Sequence, residues 1–293
     1  MTGAGRIGLN SSNGHGMSTD FFKRVDMDAY CARIGYFGPR EPALETLRAL
    51  HLAHITHIPF ENVDVLLRIP VSLDLNDLQA KLIRARRGGY CFEHNLLFAA
   101  VLKQVGFEVT RLAARVRLGA HRNLPRTHLL LLVKLNGVPW IADVGFGGWG
   151  LLEPIPLEAG REVRQFQWSF RLQRGGDEWV LQCPQCRLGE DQYSFTLEPQ
   201  LSVDCEMANF YCANHPQSPF VQSLVVQLAA PTQRLMLRDH ELRVDTPADS
   251  RAELFDTNDR VLRVLAERFG LRLPPGTILT AAHQEEQPSA RTA

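Results

Sequence analysis

Cys91 is the residue of this sequence that is best placed to act as a nucleophile. Gly88 and Gly89 come shortly before it, and apolar residues at helical spacing follow over positions 96–101. This pattern predicts a thiol at the start of a helix, where free N–H groups and the helix dipole favour a thiolate. The glycines also allow the backbone to direct N–H groups at an oxyanion. An isolated cysteine is more often a buried core residue, so the prediction depends on finding a base.

A base and a group to orient it follow later in the chain. His128 begins the apolar run 128–133, and Asp143 comes just before the turn-forming Gly145. Taken singly, the first could be a core histidine and the second a turn cap. Together with Cys91 they supply the nucleophile, base and orienting acid that an activated thiol requires. Spacing alone does not bring the three together, so the triad is a hypothesis about the fold.

Two other groups of potential ligands are weaker. Cys183 and Cys186 have C-x-x-C spacing, but a structural zinc site needs a full set of ligands and this pair has no second pair. We therefore predict no metal site. His51, His54 and His57 recur at every third position and match no metalloprotease motif. We predict that these histidines lie at the surface or at an interface.

The composition narrows the class of protein. Among the 293 residues, 32 are Lys or Arg and 32 are Asp or Glu, so the formal net charge is zero. Such a balance gives no indication of a nucleic-acid or membrane partner, and no stretch approaches the roughly 18 consecutive apolar residues of a membrane helix. The six cysteines, without a signal-peptide pattern, indicate reduced thiols and a cytoplasmic location. Residues 1–16 are predicted to be a leader or disordered tail, and residues 281–293 a disordered tail. Nothing here indicates the oligomeric state.

The first third of the chain is predicted to be helical. One helix is capped by Asp26, a second has Pro42 in its first turn, and a third is capped by Asp74. A fourth begins at Cys91 and ends near Gly106. These helices would present the thiol at the start of the fourth.

Beyond the fourth helix the apolar period changes to two, which is typical of strands. The sequence predicts strands over 109–118 and 128–135, a hairpin turn at Asn136-Gly137 and a return strand over 138–144. Further alternation follows over 166–172. This middle part is predicted to be an antiparallel sheet or a small barrel.

The last third has a mixed pattern. A helix capped by Ser202 is followed by strands over 223–228 and 234–244. An amphipathic helix capped by Thr257 and closed by Gly270 comes after them. A mixed α/β segment therefore completes the chain.

Several motifs of this chain resemble those of the arylamine N-acetyltransferases. They are R-G-G-Y-C-F-E over 87–93, P-F-E-N over 59–62, T-H-L-L-L over 127–131, D-V-G-F-G over 143–147 and F-T-L-E-P over 195–199. The segment 209–220 adds support, and the resemblance extends from about residue 26 to about residue 272. Each motif alone is weak evidence, whereas their common order along the chain is specific.

The resemblance implies an α+β fold in three parts and a triad formed by Cys91, His128 and Asp143. The three parts are a helical bundle with the cysteine (17–106), a β-barrel with the histidine and the aspartate (107–213) and an α/β lid (214–280). The resemblance also implies that Glu61 and Arg87 form an ion pair that holds the segment before the cysteine.

The implied reaction is transfer of an acetyl group from the cosubstrate acetyl-CoA to the nitrogen of an arylamine or arylhydrazine, through an acetyl-cysteine and without a metal. The candidate contacts to the amine are Phe60, Val116, Thr127, Phe146 and Phe220. The candidate contacts to coenzyme A are Gly147, Gly148 and Tyr211.

Two alternatives remain open at the level of sequence. The same three residues could serve a cysteine hydrolase or a transglutaminase-like enzyme, although the sequence has no pattern typical of an extended peptide groove. A ligand-binding module without activity is the second alternative, and complete triad residues argue against it. Detecting acetyl transfer rather than amide cleavage would exclude the first alternative, and an assay with acetyl-CoA and a simple aniline would decide the second.

Overall fold

The computed structural model describes residues 24–118 and 124–279. The predicted leader and tail, residues 1–16 and 281–293, therefore lie outside the described residues. The α-helices found in the described ranges are α1 (Met27–Ile34), α2 (Leu44–His57), α3 (Val63–Leu66), α4 (Leu75–Leu78), α5 (Cys91–Val105), α6 (Ser202–Asn214), α7 (Pro219–Gln222) and α8 (Asn258–Phe269).

The strands form two antiparallel sheets. They are β1 (Phe60–Glu61), β2 (Glu108–Val116), β3 (His128–Leu135), β4 (Val138–Ala142), β5 (Ile155–Pro156), β6 (Glu162–Gln165), β7 (Trp168–Gly175), β8 (Glu178–Gln182), β9 (Asp191–Pro199), β10 (Val225–Ala229), β11 (Arg234–Arg238), β12 (Glu241–Asp245) and β13 (Ser250–Leu254). The larger sheet has the order β5-β4-β3-β2-β9-β8-β7-β6, and the smaller has the order β1-β10-β11-β12-β13. Helices together with antiparallel sheets confirm the predicted α+β class.

The helix ends follow the capping residues that the sequence offers. The Asp26 side chain accepts a hydrogen bond from the N–H of Ala29 at 2.9 Å and so begins α1. Helix α5 begins at Cys91, as predicted, and is closed by Gly106 in the left-handed conformation. The predicted third helix is different, because α4 is a single turn that continues as a π-helical segment over Gln79–Arg84.

The larger sheet contains the predicted middle strands. The β3–β4 hairpin turns at Asn136 and Gly137, both with positive φ, as the sequence indicated. The predicted alternation over 166–172 includes Phe166, but the strand begins at Trp168. Phe166 has a φ of 58° and is 43% exposed, because it forms the turn between β6 and β7 and does not belong to a strand.

The smaller sheet connects the beginning of the chain with its end. Strand β1, from the helical part, pairs with β10 through Phe60 opposite Gln227 and Glu61 opposite Val226. The amphipathic helix α8 packs Val261, Leu265 and other apolar residues into the core of this sheet. Strand β1 also bridges to Gly89, just before the cysteine helix, and the N–H of Glu61 donates to the carbonyl of Gly89 at 2.8 Å. Strand β10 therefore supports that segment indirectly, through β1. The predicted division at residues 106 and 213 stays a prediction.

The prediction that the three α2 histidines lie at the surface or an interface was wrong for two of them. His51 and His54 are fully buried, and only His57 is exposed. His51 and His54, three residues apart, share the side of α2 that faces the core. A further step of three carries His57 farther round the helix, to the solvent. The two buried rings hydrogen-bond to partners distant in sequence, including the carbonyl of Leu152 and the side chain of His94. Among the described helices, none has the length and apolar character needed to cross a membrane.

Candidate active site

Cys91 lies at the start of α5 and is 3% exposed. The carboxylate of Glu93 accepts a hydrogen bond from the N–H of Tyr90 at 3.0 Å and caps the helix just before the thiol. Gly88 is required here because a Cβ at this position would lie 2.0 Å from the carbonyl oxygen of Pro59. The glycine therefore permits the close backbone approach that positions the start of α5.

The β3–β4 hairpin brings His128 and Asp143 together. Leu131 pairs with Ala142 in the register of this hairpin, so the residue that begins β3 lies near the residue that follows β4. The Nε2 atom of His128 is 2.7 Å from Oδ2 of Asp143, and both side chains are buried. Since Nε2 faces the carboxylate, Nδ1 is the ring nitrogen left for the thiol of Cys91, and the two groups shift each other's pKa. The structure thus joins the three predicted residues.

Asp143 is held by side chains that the sequence analysis missed. Its Oδ1 atom accepts hydrogen bonds from the amide of Asn95 and from the N–H of Gly145, both at 2.9 Å. Its own N–H donates to Nε2 of His51 at 3.1 Å. Asn95 stands four residues after Cys91 on the same side of α5, and that spacing could have identified it.

Gly145 allows the turn after β4 to contact the cysteine helix. A Cβ at this position would lie 2.8 Å from the Cα of Cys91 and 2.6 Å from the amide nitrogen of Asn95. Contacts this short do not occur between real atoms without a shift of the backbone. The glycine in this turn therefore keeps the aspartate within reach of the histidine.

His128 and Asp143 form an imidazolium–carboxylate pair. Burial alone would lower the pKa of His128, but the charge of Asp143 and the hydrogen bond to it raise that pKa to about 10. Burial alone would raise the pKa of Asp143, but the charge of His128 and the hydrogen bonds from His128, Asn95 and Gly145 lower it. The histidine therefore carries a proton at neutral pH.

The thiol of Cys91 experiences two opposing effects. Burial raises its pKa, and the hydrogen bond and charge of His128 act against that rise without cancelling it. The helix start alone therefore does not set the pKa of this thiol. Cys212 provides a comparison, because burial raises the pKa of its thiol to about 12 with no opposing group. The imidazolium is what favours the thiolate at Cys91.

A network of buried charges supports the segment before the cysteine. Arg87 contacts both Glu61 and Asp64 at 2.8 Å, which confirms the predicted Glu61–Arg87 pair. Lys81 then joins Asp64 at 2.6 Å to Glu93 at 2.7 Å. Burial raises the pKa of Glu93 to about 7, with Lys81 opposing the rise. The network therefore ends on the residue that caps α5.

Cys91 and His128 open onto a cavity of about 570 Å³. Its apolar wall comes from the helical part, the larger sheet and α7. All five candidate amine contacts line this cavity, and so does Tyr211: Phe60, Val116, Thr127, Phe146, Phe220 and Tyr211. The ring of Phe146 meets that of His128 edge-on with centroids 5.1 Å apart. A flat aromatic molecule has the size and polarity to enter such a site.

Gly147 and Gly148 have a different position from the other candidates. The N–H of Gly148 donates to Oε1 of Gln227 at 2.8 Å, and a Cβ at Gly147 would lie 2.0 Å from the same oxygen. Neither glycine lines the cavity that holds the thiol. In this structure they serve a close approach to β10, and their contact with coenzyme A stays a prediction.

Three arginines that line the outer part of the cavity were missed by the sequence analysis. Arg238 is on β11, Arg243 is on β12, and Arg187 is in the connection between β8 and β9. Met236 and Arg238 alternate along one face of β11, so period-two spacing could have placed the second once the strand was known. The carboxylate of Glu241 lies 2.8 Å from Arg243, and that of Asp245 lies 3.9 Å from Arg187. The cavity is thus apolar at the thiol and carries these charged side chains as well.

No metal site emerges from the residues that the structure describes. Cys183 and Cys186 are both buried in the turn after β8. Within the described ranges, no group of three or more His, Cys, Asp or Glu side chains could hold a metal ion. Burial raises the pKa of Cys183 to about 11, so this thiol is protonated at neutral pH.

Comparison with known proteins identifies the family. The model of an N-acetyltransferase family matches residues 43–278. The arylamine N-acetyltransferase of Mycolicibacterium smegmatis is 40% identical over 255 residues, which cover 85% of this chain and 93% of the relative. The chain belongs to the arylamine N-acetyltransferase family.

Solved structures of the family share the fold described above. The M. smegmatis arylamine N-acetyltransferase superposes with a TM-score of 0.81 at 41% identity, covering 85% of this chain and 93% of that one. The Mycobacterium marinum arylamine N-acetyltransferase in complex with CoA superposes with a TM-score of 0.79 at 34% identity, covering 84% and 92%. Membership of the family confirms the resemblance recognised in the motifs.

Proposed function

We propose that this protein transfers the acetyl group of acetyl-CoA to the nitrogen of an arylamine or arylhydrazine through an acetyl-thioester on Cys91. The observation that carries the proposal is the 2.7 Å contact between His128 and Asp143 beside the buried thiol. The charge of that pair gives Cys91 a partner that a core cysteine lacks. The family of the chain makes acetyl transfer the expected reaction.

In the first half-reaction, Cys91 attacks the carbonyl carbon of the acetyl thioester as a thiolate paired with His128. The helix start of α5 supplies N–H groups with no partner inside the helix, and these would stabilise the oxyanion. His128 then gives its proton to the departing thiolate of coenzyme A. Asp143 stabilises the imidazolium before the transfer and keeps Nδ1 directed at the sulfur.

In the second half-reaction, His128 acts as the base. Nδ1 takes a proton from the amine while its nitrogen attacks the acetyl-thioester, and Cys91 leaves as the thiolate. The proton thus returns to the histidine, and the ion pair is restored. Only one cavity is needed, because coenzyme A must leave before the amine enters.

The shape and charge of the cavity support both substrates. Phe60, Phe146 and Phe220 offer aromatic faces and edges to an aryl ring near the thiol. Arg187, Arg238 and Arg243 suit the phosphates of coenzyme A, since guanidinium groups grip phosphate in a bidentate manner. An uncharged wall near the sulfur agrees with the acetyl end of acetyl-CoA, and a charged rim, in which three arginines face the two carboxylates of Glu241 and Asp245, agrees with its phosphate end.

The decisive experiment uses acetyl-CoA without an amine. Intact-mass analysis should show one added acetyl group, and peptide mapping should place it on Cys91. Cys91→Ala should accept none, whereas Cys205→Ser, which changes a buried thiol outside the cavity, should be acetylated like the wild type. Initial rates at several amine concentrations should give parallel double-reciprocal lines. Intersecting lines, or an acetyl group on Cys183 or Cys186, would contradict the proposal.

A further inference from the structure

A second thiol, Cys212, lies beside the nucleophile. The sulfur of Cys91 is 3.5 Å from the carbonyl oxygen of Thr127, and the sulfur of Cys212 is 3.6 Å from the same oxygen. The two sulfurs contact the same oxygen, so the distance between them can be no greater than the sum of these two distances. Both side chains line the same cavity. Both are buried, and they belong to the same apolar cluster.

The surrounding contacts hold this arrangement in place. Tyr90, which precedes Cys91, donates its hydroxyl hydrogen to the side-chain oxygen of Asn209 on α6. Asn209 and Cys212 are three residues apart and so share one side of α6. The hydroxyl of Ser218 donates to the carbonyl of Cys212 at 2.6 Å. The start of α5 and the C-terminal half of α6 are therefore tied together beside the Thr127 carbonyl that both thiols contact.

We propose that Cys91 and Cys212 form a disulfide when the protein meets a peroxide, so that the acetyl-accepting thiol is switched off reversibly. The mechanism described above gives Cys212 no role, yet a thiol at this position can react with an oxidised Cys91. The proposal concerns the thiol itself and holds whichever amine the protein acetylates.

The chemistry divides the two thiols into an attacking and a resolving one. Cys91 attacks one oxygen of hydrogen peroxide, the O–O bond breaks, and its sulfur becomes a sulfenic acid. The other oxygen leaves as water after it takes a proton from His128. Cys212 then attacks the Cys91 sulfur, an S–S bond forms as the S–O bond breaks, and the hydroxyl leaves as water with the thiol proton of Cys212. Peroxide gains the two electrons that the two sulfurs lose.

The environments of the thiols agree with this order. His128 favours the thiolate at Cys91, whereas burial raises the pKa of Cys212 to about 12 with no charged partner. Cys91 is therefore the thiol that peroxide oxidises first. Without a resolving thiol, a sulfenic acid at this position would continue to the sulfinic state, which thiols do not reverse.

The test treats the reduced, full-length protein with a small excess of hydrogen peroxide and then blocks free thiols. Mass mapping should show the Cys91 and Cys212 peptides joined, with a mass lower by two hydrogen atoms. Dithiothreitol should restore most of the acetyl acceptance from acetyl-CoA. In Cys212→Ser, compared with its own untreated sample, Cys91 should become sulfinic and acetyl acceptance should not return.

Cys205→Ser is the matched control, because Cys205 is buried in the same cluster but does not line the cavity. It should form the disulfide and recover like the wild type. The wild-type mapping needs no variant, so a folding defect in Cys212→Ser would leave the proposal testable. A sulfinic Cys91 without the joined peptides in the wild type would overturn it. Equal recovery of Cys212→Ser and the wild type would do the same, as would a disulfide found only between Cys183 and Cys186.

Discussion

The buried ring of His51 should make the protein lose stability in mild acid. Its Nδ1–H donates to the carbonyl of Leu152 at 3.0 Å, and its bare Nε2 accepts the N–H of Asp143 at 3.1 Å. A second proton on the ring, at Nε2, would place the ring N–H against the backbone N–H of Asp143. Burial accordingly lowers the pKa of His51 to about 4.

The sign and size of the effect follow from that value. An unfolded histidine has a pKa near 6.5, so the unfolded chain takes up a proton at a pH where the folded ring does not. The stabilisation is present above about pH 6.5 and is lost as the pH falls toward 4. Between pH 7.5 and pH 5, linkage gives a loss of about 2 kcal/mol from this residue alone. That is a large share of the roughly 5–15 kcal/mol by which a domain is stable.

Other buried groups titrate in the same range, so the measurement compares the wild type with His51→Gln. The glutamine oxygen can accept the N–H of Asp143, but Leu152 loses its donor, which costs about 1 kcal/mol at pH 7.5. Since the variant does not titrate here, it should lose about 2 kcal/mol less than the wild type on going to pH 5. The two curves of unfolding free energy against pH should cross. Urea denaturation at several pH values measures both curves.

His57→Gln is the control, because His57 lies on the same helix with its ring exposed. Its curve should run parallel to that of the wild type. If the His51→Gln curve also ran parallel to the wild type between pH 7.5 and pH 5, the neutral, doubly hydrogen-bonded ring would be the wrong description of His51.

Three further substitutions test the site. Asp143→Asn should keep the fold, as judged by circular dichroism, but lower kcat by roughly 10²–10⁴-fold, by analogy with other triads; a loss below tenfold would refute its role. Lys81→Met should destabilise the protein by about 3–5 kcal/mol in urea because it leaves the buried Glu93 carboxylate without an opposite charge, and adding Glu93→Gln should recover part of this loss. Gly145→Ala should lower the melting temperature and activity together, since its Cβ would lie 2.8 Å from Cys91, and normal values for both would show that the turn adapts.

The elements closest to the chemistry could be predicted from local pattern. The start of α5 at Cys91 followed from the two glycines and the apolar helix, and β3 begins at His128 as the period-two pattern indicated. The turn at Asn136-Gly137 fixed the register that places Asp143 within reach of the histidine. In each case the information lies within a few residues, because caps and hairpin turns are local interactions.

The supporting contacts could not be predicted, because their partners are far apart in the chain. Asn95 bonds to residues more than thirty positions away, as the separations of 34 and 48 show. His51 reaches the backbone of Asp143 over a separation of 92. A histidine at the surface and one that holds the backbone of Asp143 have the same residue type and the same helical spacing. Only the packing of α2 against the turn after β4 distinguishes them.

The burial of Cys91 sets a requirement that the helix start alone does not meet. A cavity that accepts an aryl ring must be apolar near the sulfur, and the same surroundings raise the pKa of the thiol. The activating charge must therefore come from a group whose own proton survives burial. His128 is such a group because Asp143 raises its pKa to about 10, and Asp143 in turn keeps its charge through Asn95 and Gly145. The reactivity of the thiol thus depends on a chain of buried partners that ends in backbone N–H groups, which do not titrate.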